Sequence, residues 1–138
     1  MTLTVDASTV VAALVDSGPA GQWAIERLRK AGDLVAPTIM PVEAANVLRR
    51  LEASGKIDEV VADRAFSDLR RLPVTLVDFG ALADRVWALR SNLTSYDASY
   101  VASAELTRSS LATLDERLAN APGPTCRMAN PPAESTRT

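Results

Sequence analysis

The sequence predicts an α/β domain of three layers, in which helices cover both faces of a central, mostly parallel sheet. Short apolar segments with the length of strands alternate along the chain with longer segments whose apolar residues recur at helical spacing. This alternation indicates a parallel sheet, because parallel neighbours require a crossover connection that usually contains a helix. Of the 138 residues, 47% are hydrophobic and only 4% are aromatic, which suits a compact, helix-rich α/β protein.

The predicted elements follow one another in a single domain. The strands comprise residues 3–5, 34–36, 74–77 and 111–114, with 125–128 as a last edge strand. The helices comprise about residues 8–15, 21–31, 41–54, 58–71, 80–90 and 96–108, with a short helical turn after residue 115. Ser8 or Thr9 is expected to cap the first helix, and Thr94 or Ser95 the last long one. We expect one domain over residues 1–128 and a disordered, polar, Pro-rich tail over residues 129–138.

Composition excludes several kinds of site. The chain has no His, and its lone Cys126 cannot form an internal disulfide, so zinc sites built on Cys and His are excluded. No apolar run approaches the roughly 18–20 residues of a membrane span, and the first residues lack the basic start of a signal peptide. We therefore expect a cytoplasmic protein that does not associate with membranes. The net charge of −2 provides no overall attraction to nucleic acid.

Four acidic residues stand where a predicted strand ends or a predicted helix begins: Asp6, Glu43, Asp97 and Asp115. Asp6 and Asp115 follow strands directly, and open parallel sheets bind their ligands outside the carboxyl ends of the strands. Each acid alone is explained equally simply as a helix cap, an Asx turn or a charge that offsets a helix dipole. Together they predict a site for Mg²⁺ or Mn²⁺, because carboxylates held close together repel and a divalent cation removes that conflict.

Three polar residues accompany the acids. Ser8 follows the first acid by two residues, and Thr113 precedes the last acid by two, on the same face of its strand. Asn46 lies three residues after the second acid and shares its helical face. We expect all three to support the site, while a helix cap and a buried strand hydroxyl are the alternatives for Ser8 and Thr113.

The acids lie in four segments that resemble the acidic motifs of PIN-domain ribonucleases, and most closely those of the VapC toxins of bacterial toxin–antitoxin pairs. The segments are residues 4–8 (TVDAS), 41–44 (PVEA), 96–102 (YDASYVA) and 113–118 (TLDERL). The resemblance covers roughly residues 1–128, with the segments in family order and at family spacing. The chain departs from the pattern at residues 109–110, where two serines replace the Gly or Pro turn of many relatives.

This resemblance implies a PIN-like fold and an endoribonuclease that depends on Mg²⁺ or Mn²⁺. It also implies a protein that is usually a homodimer and is neutralised by a small cognate antitoxin. The four acids would form the catalytic metal site, with Ser8 and Thr113 in support. We expect Asp6 and Asp97 to be direct ligands, and the other two acids to act through water or to position the nucleophile.

Basic residues at the rim must attract the substrate, because an acidic pocket repels RNA. Arg49 and Arg50, on the helix of Glu43, and Arg90, before the Asp97 motif, are the predicted RNA contacts. An ordinary solvated helix surface is the alternative for each of them. Single-stranded or looped RNA is the expected substrate, because unpaired bases are accessible to a protein.

Two partner predictions follow. Val60, Val61 and Phe66 exceed the core requirement of one helix, which favours a homodimer. The antitoxin is expected to lay a segment across the acidic groove, with an Arg that reaches the carboxylates.

Other uses of acids at a sheet edge fit less well. A phospho-accepting receiver domain needs an acidic pair after its first strand and a Lys after a later one, and a phosphatase with an aspartyl nucleophile needs Asp-x-Asp. Asp6-Ala7-Ser8 satisfies neither. A catalytically inactive PIN-like module that binds protein or RNA remains the alternative to a nuclease.

Overall fold

The computed structural model describes residues 1–132, in which five strands and seven helices are found. Their bounds are β1 (Thr2–Val5), α1 (Ala7–Val15), α2 (Pro19–Lys30), β2 (Asp33–Pro37), α3 (Met40–Ala53), α4 (Glu59–Arg71), β3 (Val74–Val77), α5 (Phe79–Ala88), α6 (Ser95–Thr107), β4 (Ser110–Ala112), α7 (Glu116–Ala119) and β5 (Met128–Ala129). Residues 133–138, which hold most of the predicted disordered tail, lie outside the described residues. Within residues 1–132, every helix is too short or too polar to cross a membrane.

The strands form one parallel sheet in the order β3-β2-β1-β4-β5. Leu3 of the central strand β1 pairs with Leu34 of β2, and Thr4 pairs with Leu111 of β4. The chain moves outward from β1 to β3 and then returns past β1 to β4, so the direction of strand addition reverses beside β1. Such a switch point opens a crevice outside the carboxyl ends of the two strands, which are here β1 and β4.

The helices cover both faces of the sheet. Right-handed crossovers place α1 to α4 on one face, because β1, β2 and β3 are added in one direction, and place α5 and α6 on the other face. The packing agrees, since α1 contacts α2, α3 and α4, whereas α5 contacts α6, and α6 lies against β1, β2 and β4. The predicted three-layer α/β domain with a parallel sheet is confirmed.

Helix α6 lies deep in the protein, with all residues from 98 to 104 buried. Most of these residues are Ala or Ser, whose small side chains allow the helix to approach the sheet closely. Around the helix, Val5, Met40, Leu82 and Leu111 are fully buried. Burial of such aliphatic side chains stabilises the fold by about 1.5–3 kcal/mol each. The central part of α6 is therefore packed closely against the sheet, and its first turn continues from this buried segment.

The structure corrects several predicted boundaries. The N-cap of α1 is Asp6, not Ser8 or Thr9, because the Asp6 carboxylate accepts the backbone N–H of Thr9. Thr94 caps α6 as predicted. Strand β4 ends at Ala112, and β5 includes Ala129, which pairs with it, so regular pairing extends one residue past the predicted domain end at 128.

Candidate active site

Asp6 is the buried centre of the acidic site. It follows β1 directly, and its Oδ1 accepts the Ser8 hydroxyl at 2.7 Å and the Thr9 backbone N–H at 2.9 Å. Burial raises the pKa of Asp6, while hydrogen bonds from Thr113, Ser8 and Thr9 act in the opposite direction without cancelling that effect. The hydrogen bonds therefore orient the carboxylate, but they do not fully offset the cost of burying its negative charge.

Ser8 and Thr113 tie the end of β1 to the loop after β4. The Ser8 hydroxyl accepts the backbone N–H of Leu114 at 3.1 Å, and Thr113 Oγ1 accepts the backbone N–H of Asp115 at 3.0 Å. Both hydroxyls also act on Asp6, so each contacts two of the acidic motifs. The structure thus places both predicted supporting residues inside the site.

Glu43 reaches the site from the first turn of α3 and meets a side chain of α6. The hydroxyl of Tyr100 donates a hydrogen bond of 2.5 Å to Glu43 Oε1, between residues 57 positions apart. The Tyr100 ring is buried, and its pKa is raised by burial, then by the hydrogen bond to Glu43, and then by the charges of Glu43 and Asp6. The hydroxyl therefore remains neutral and acts as a hydrogen-bond donor between two acids.

Asp97 and Asp115 share one arginine. Asp115 caps α7, with Oδ1 accepting the backbone N–H groups of Arg117 and Leu118, while Oδ2 accepts Arg117 Nη2 at 3.0 Å. The same Nη2 lies 3.8 Å from Asp97 Oδ2. Asp97 is half-buried in the first turn of α6, and burial raises its pKa. Arg117 lowers that pKa, whereas the charges of Asp115 and Asp6 raise it further.

The acids are linked in two overlapping sets that share Asp6. Asp97 responds to Asp115 and Asp6, and Tyr100 responds to Glu43 and Asp6. Within residues 1–132, no three acidic, His or Cys side chains stand close enough to hold one metal ion. The acids thus come from separate elements and do not form a closed cage in this part of the chain, and Arg117 lies against two of them.

The other predicted site residues lie on the surrounding surface. Asn46 and Arg49 are exposed on α3, and Arg49 Nε donates to Asn46 Oδ1 at 3.0 Å. Arg50 lines a groove of about 610 Å³ that also contains Ser8, so this groove runs up to the acidic site. Arg90 stacks on the Trp87 ring, with its guanidinium 4.6 Å from the ring centroid, and donates to the Trp87 carbonyl. Among the described residues 1–132, Arg90 contacts Trp87 and none of the four acids.

Two residues of the site were missed in the sequence. Tyr100 lies three residues after Asp97, on the same helical face, and this spacing is the signal that indicates it. Arg117 follows Asp115 by two residues, but helix position alone does not indicate that its side chain turns back to the carboxylates. Glu105, eight residues after Asp97 on α6, pairs with Arg85 of α5.

The chain is similar to known proteins over most of its length. The family model for the PIN domain matches residues 3–124, so the chain belongs to the PIN-domain family. Within that family its relatives are VapC ribonucleases: Ribonuclease VapC9 of Mycobacterium tuberculosis is 40% identical over 119 residues, which cover 86% of this chain and 89% of that protein.

Solved structures give the same fold. PAE2754 from Pyrobaculum aerophilum has a TM-score of 0.68 at 24% identity and covers 94% of this chain and 89% of its own. Mycobacterium tuberculosis VapC20, a toxin that cleaves the sarcin-ricin loop, has a TM-score of 0.64 at 16% identity and covers 84% and 92%, respectively. At these identities the two structures support the fold alone.

Proposed function

We propose that this protein is a toxin-type endoribonuclease that hydrolyses phosphodiester bonds of single-stranded or looped RNA with Mg²⁺ or Mn²⁺, and that a cognate antitoxin neutralises it. The observation that carries the proposal is the gathering of Asp6, Glu43, Asp97 and Asp115, from separate elements, at the switch point of a parallel sheet. Membership of the PIN-domain family and likeness to VapC ribonucleases support the reaction class. An inactive binding module is not favoured, because all four acids are present and the relatives are named ribonucleases.

The donor set of the site fits a hard divalent cation. It consists of carboxylate oxygens, and the raised pKa values of Asp6 and Asp97 reflect burial that a nearby cation would offset. The guanidinium of Arg117 lies against Asp97 and Asp115, which supports the view that these carboxylates attract a positive charge. Asp6 and Asp97 would hold the ion directly, and Glu43 and Asp115 through water. Arg117 would have to withdraw for this to happen.

The residues of the chain would position and activate the reactants. A bound divalent ion supplies an acidified water and positive charge at the scissile phosphate. Ser8 and the Thr9 backbone N–H hold Asp6 in one orientation. Tyr100 engages Oε1 of Glu43, so Oε2 is the oxygen left to accept a proton or to orient water.

RNA would approach over the basic rim of the site. Arg50 is the best-placed candidate, because its groove includes Ser8 and also Lys56. Arg49, held by Asn46, is a neighbouring phosphate contact on the exposed surface of α3. Arg90 is a third candidate RNA contact, and the exposed Trp87 beside it could stack on a base. If substitution of Arg50 leaves RNA affinity unchanged, Arg50 is not an RNA contact.

The same surface suits an antitoxin segment. The groove between α1 and α3 has an apolar floor that includes Val11, Val15 and Val47, and it leads to the acids past Ser8. The contact of Arg117 with Asp97 supports a second proposal, that an arginine from the antitoxin is accommodated at the carboxylates. A complex in which this groove and the acids remain open to solvent would contradict both proposals.

A homodimer is also part of the proposal. Val60, Val61 and Phe66 of α4 are exposed, as is Leu76 on the edge strand β3. Exposed apolar side chains of this number favour a contact with another protein surface. Light scattering that detects only monomer at high protein concentration would rule the dimer out.

The central test compares cleavage of a fluorescent RNA by the metal-free protein in Mn²⁺, in EDTA and as the Asp97→Asn variant. We expect cleavage in Mn²⁺, none in EDTA, and at least about a 100-fold loss in the variant, because the variant lacks one charged ligand. Cleavage that survives both EDTA and Asp97→Asn would refute the metal site. An absence of cleavage in every condition would favour the inactive binding module instead.

A further inference from the structure

The hydroxyl of Tyr100 lies between two acidic motifs that come from different layers of the fold. Tyr100 is on α6 and only 3% exposed, and its ring belongs to the main hydrophobic core. Its hydroxyl donates to Glu43 on α3, and it is close enough to Asp6 for that charge to raise its pKa. The carboxylate of Glu43 is thus fixed to a side chain that core packing holds still.

This contact restricts the conformation of Glu43, which has more freedom than Asp6 or Asp97. Asp6 and Asp97 are short side chains that leave the backbone directly at the sheet edge, and Asp6 is further held by two hydrogen bonds. Glu43 has one more methylene and is only partly buried, so its carboxylate has more conformations available. A donor on a rigid aromatic ring removes that freedom at one oxygen.

We propose that Tyr100 is the positioning residue of the site: its phenol anchors Oε1 of Glu43 and thereby leaves Oε2 as the oxygen that serves a divalent cation or its water. The role of this contact in the site rests on the proposed nuclease function, whereas the contact between Tyr100 and Glu43 does not depend on that function. Carboxylate ligands are commonly fixed by such outer hydrogen bonds, and loss of one weakens metal affinity or activity by about 10–100-fold.

The chain contains a matched control on the same helix. It has two tyrosines, and the second, Tyr96, lies one helical turn before Tyr100 and is 60% exposed. Tyr96 lines an apolar hollow with Phe79 and Leu82, and no hydrogen bond of its hydroxyl is recorded within residues 1–132. Tyr100→Phe and Tyr96→Phe therefore remove the same atom from the same kind of residue, in one case from the site and in the other from the surface.

The first experiment measures Mn²⁺ affinity by calorimetry and the kcat and KM of RNA cleavage for both variants. We expect Tyr100→Phe to weaken Mn²⁺ binding and lower kcat by about 10-fold or more, with little change in KM, and Tyr96→Phe to behave like wild type. In a Glu43→Ala background, the Tyr100→Phe change should have almost no further effect on Mn²⁺ affinity, because the carboxylate that it positions is gone. Additive losses, or a Tyr100→Phe variant that binds Mn²⁺ like wild type, would overturn the proposal.

A second measurement leaves Tyr100 in place, so it does not depend on whether the Tyr100→Phe variant folds. Labelling with 3-fluorotyrosine gives two fluorine resonances, which Tyr96→Phe assigns. We expect Mg²⁺ to shift the Tyr100 resonance and not that of Tyr96, and Glu43→Ala to abolish the shift. A Tyr100 resonance that ignores Mg²⁺ would refute the proposal. A Glu43-dependent shift in a protein that cleaves no RNA would leave the positioning role intact and refute only the nuclease function.

Discussion

The two ends of helix α6 carry carboxylates on the same helical face with opposite environments. Asp97 lies in the first turn at the carboxyl edge of the sheet, and Glu105 lies eight residues later, in the last turn. Glu105 is fully partnered: Arg85 donates to its two oxygens at 2.6 and 3.1 Å, and Thr125 donates through its backbone N–H and its hydroxyl. Asp97 has the long contact to Arg117 and a weaker hydrogen bond with the Thr94 side chain, and it has other acids as neighbours.

The difference appears directly in the two pKa values. Burial alone would raise the pKa of Glu105, but the hydrogen bonds from Arg85 and Thr125 outweigh it and hold the pKa below its ordinary value. For Asp97, burial dominates, and the pKa is raised despite Arg117. A half-buried carboxylate with its donors supplied stabilises the fold, whereas one left short of donors is suited to bind a cation.

The sharpest test of this contrast pairs Asp97→Asn with Glu105→Gln. We expect Asp97→Asn to lose at least about 100-fold in RNA cleavage without loss of stability. Glu105→Gln should keep its activity within about threefold and lose roughly 1–3 kcal/mol of stability, because Arg85 loses its charged partner. Cleavage assays and thermal unfolding in EDTA measure both quantities. If both variants lose the same property, the two ends of α6 do not have separate roles.

The pH dependence of stability should have opposite signs for Asp6 and Glu105. The pKa of Asp6 is raised above its ordinary 3.8, so its contribution to stability is fully present below about pH 3.8 and is lost as pH rises through the folded value. The pKa of Glu105 is lowered from 4.5, so its contribution is present above about pH 4.5 and is lost as pH falls through the folded value.

Denaturant unfolding in EDTA between about pH 2.5 and 8 checks these signs. Asp6→Asn should become more stable relative to wild type as pH rises, since the variant lacks the buried charge, and Asn still caps a helix. Glu105→Gln should be most destabilised near pH 7 and approach wild type as pH falls below 4.5. Each effect is expected to be on the order of 1–3 kcal/mol. Parallel curves for the two variants would contradict the different environments.

The smallest expected effect concerns Arg117. Its side chain is 76% exposed, so its ion pairs with Asp97 and Asp115 contribute at most about 1 kcal/mol. Arg117→Gln should therefore raise Mn²⁺ affinity by no more than about fivefold, because the cation no longer competes with the guanidinium. Arg64→Gln, on the exposed surface of α4, is the control. Weaker Mn²⁺ binding by Arg117→Gln would mean that the arginine supports the metal site rather than competes for it.

Much of the fold and most of the candidate site were predictable because they depend on local pattern. Alternating strand and helix periods predict a parallel sheet, and an acid directly after a strand lies at its carboxyl edge whatever packs around it. Asp6 follows β1 directly, and Asp115 follows the end of β4 by three residues. The hydroxyls of Ser8 and Thr113 lie two residues from these acids. The cap of α1 was misassigned because Asp6, Ser8 and Thr9 are all good capping residues, and only the backbone path distinguishes them.

The sequence by itself therefore determined the layered architecture and the position of the four acids at the ends of strands or the starts of helices, whereas the strand order that gives them a common edge is known only from the structure. Only the tertiary structure decided the partner of each acid: Tyr100 for Glu43, Arg117 for Asp97 and Arg85 for Glu105. Tyr100 and Arg85 lie on other helices than their acids, so these contacts depend on how α3, α5 and α6 are arranged. The Arg117 side chain turns back toward the acids from the start of α7. Spacing along one helix fixes which face a residue occupies, but the side chain that meets it there is set by packing between elements.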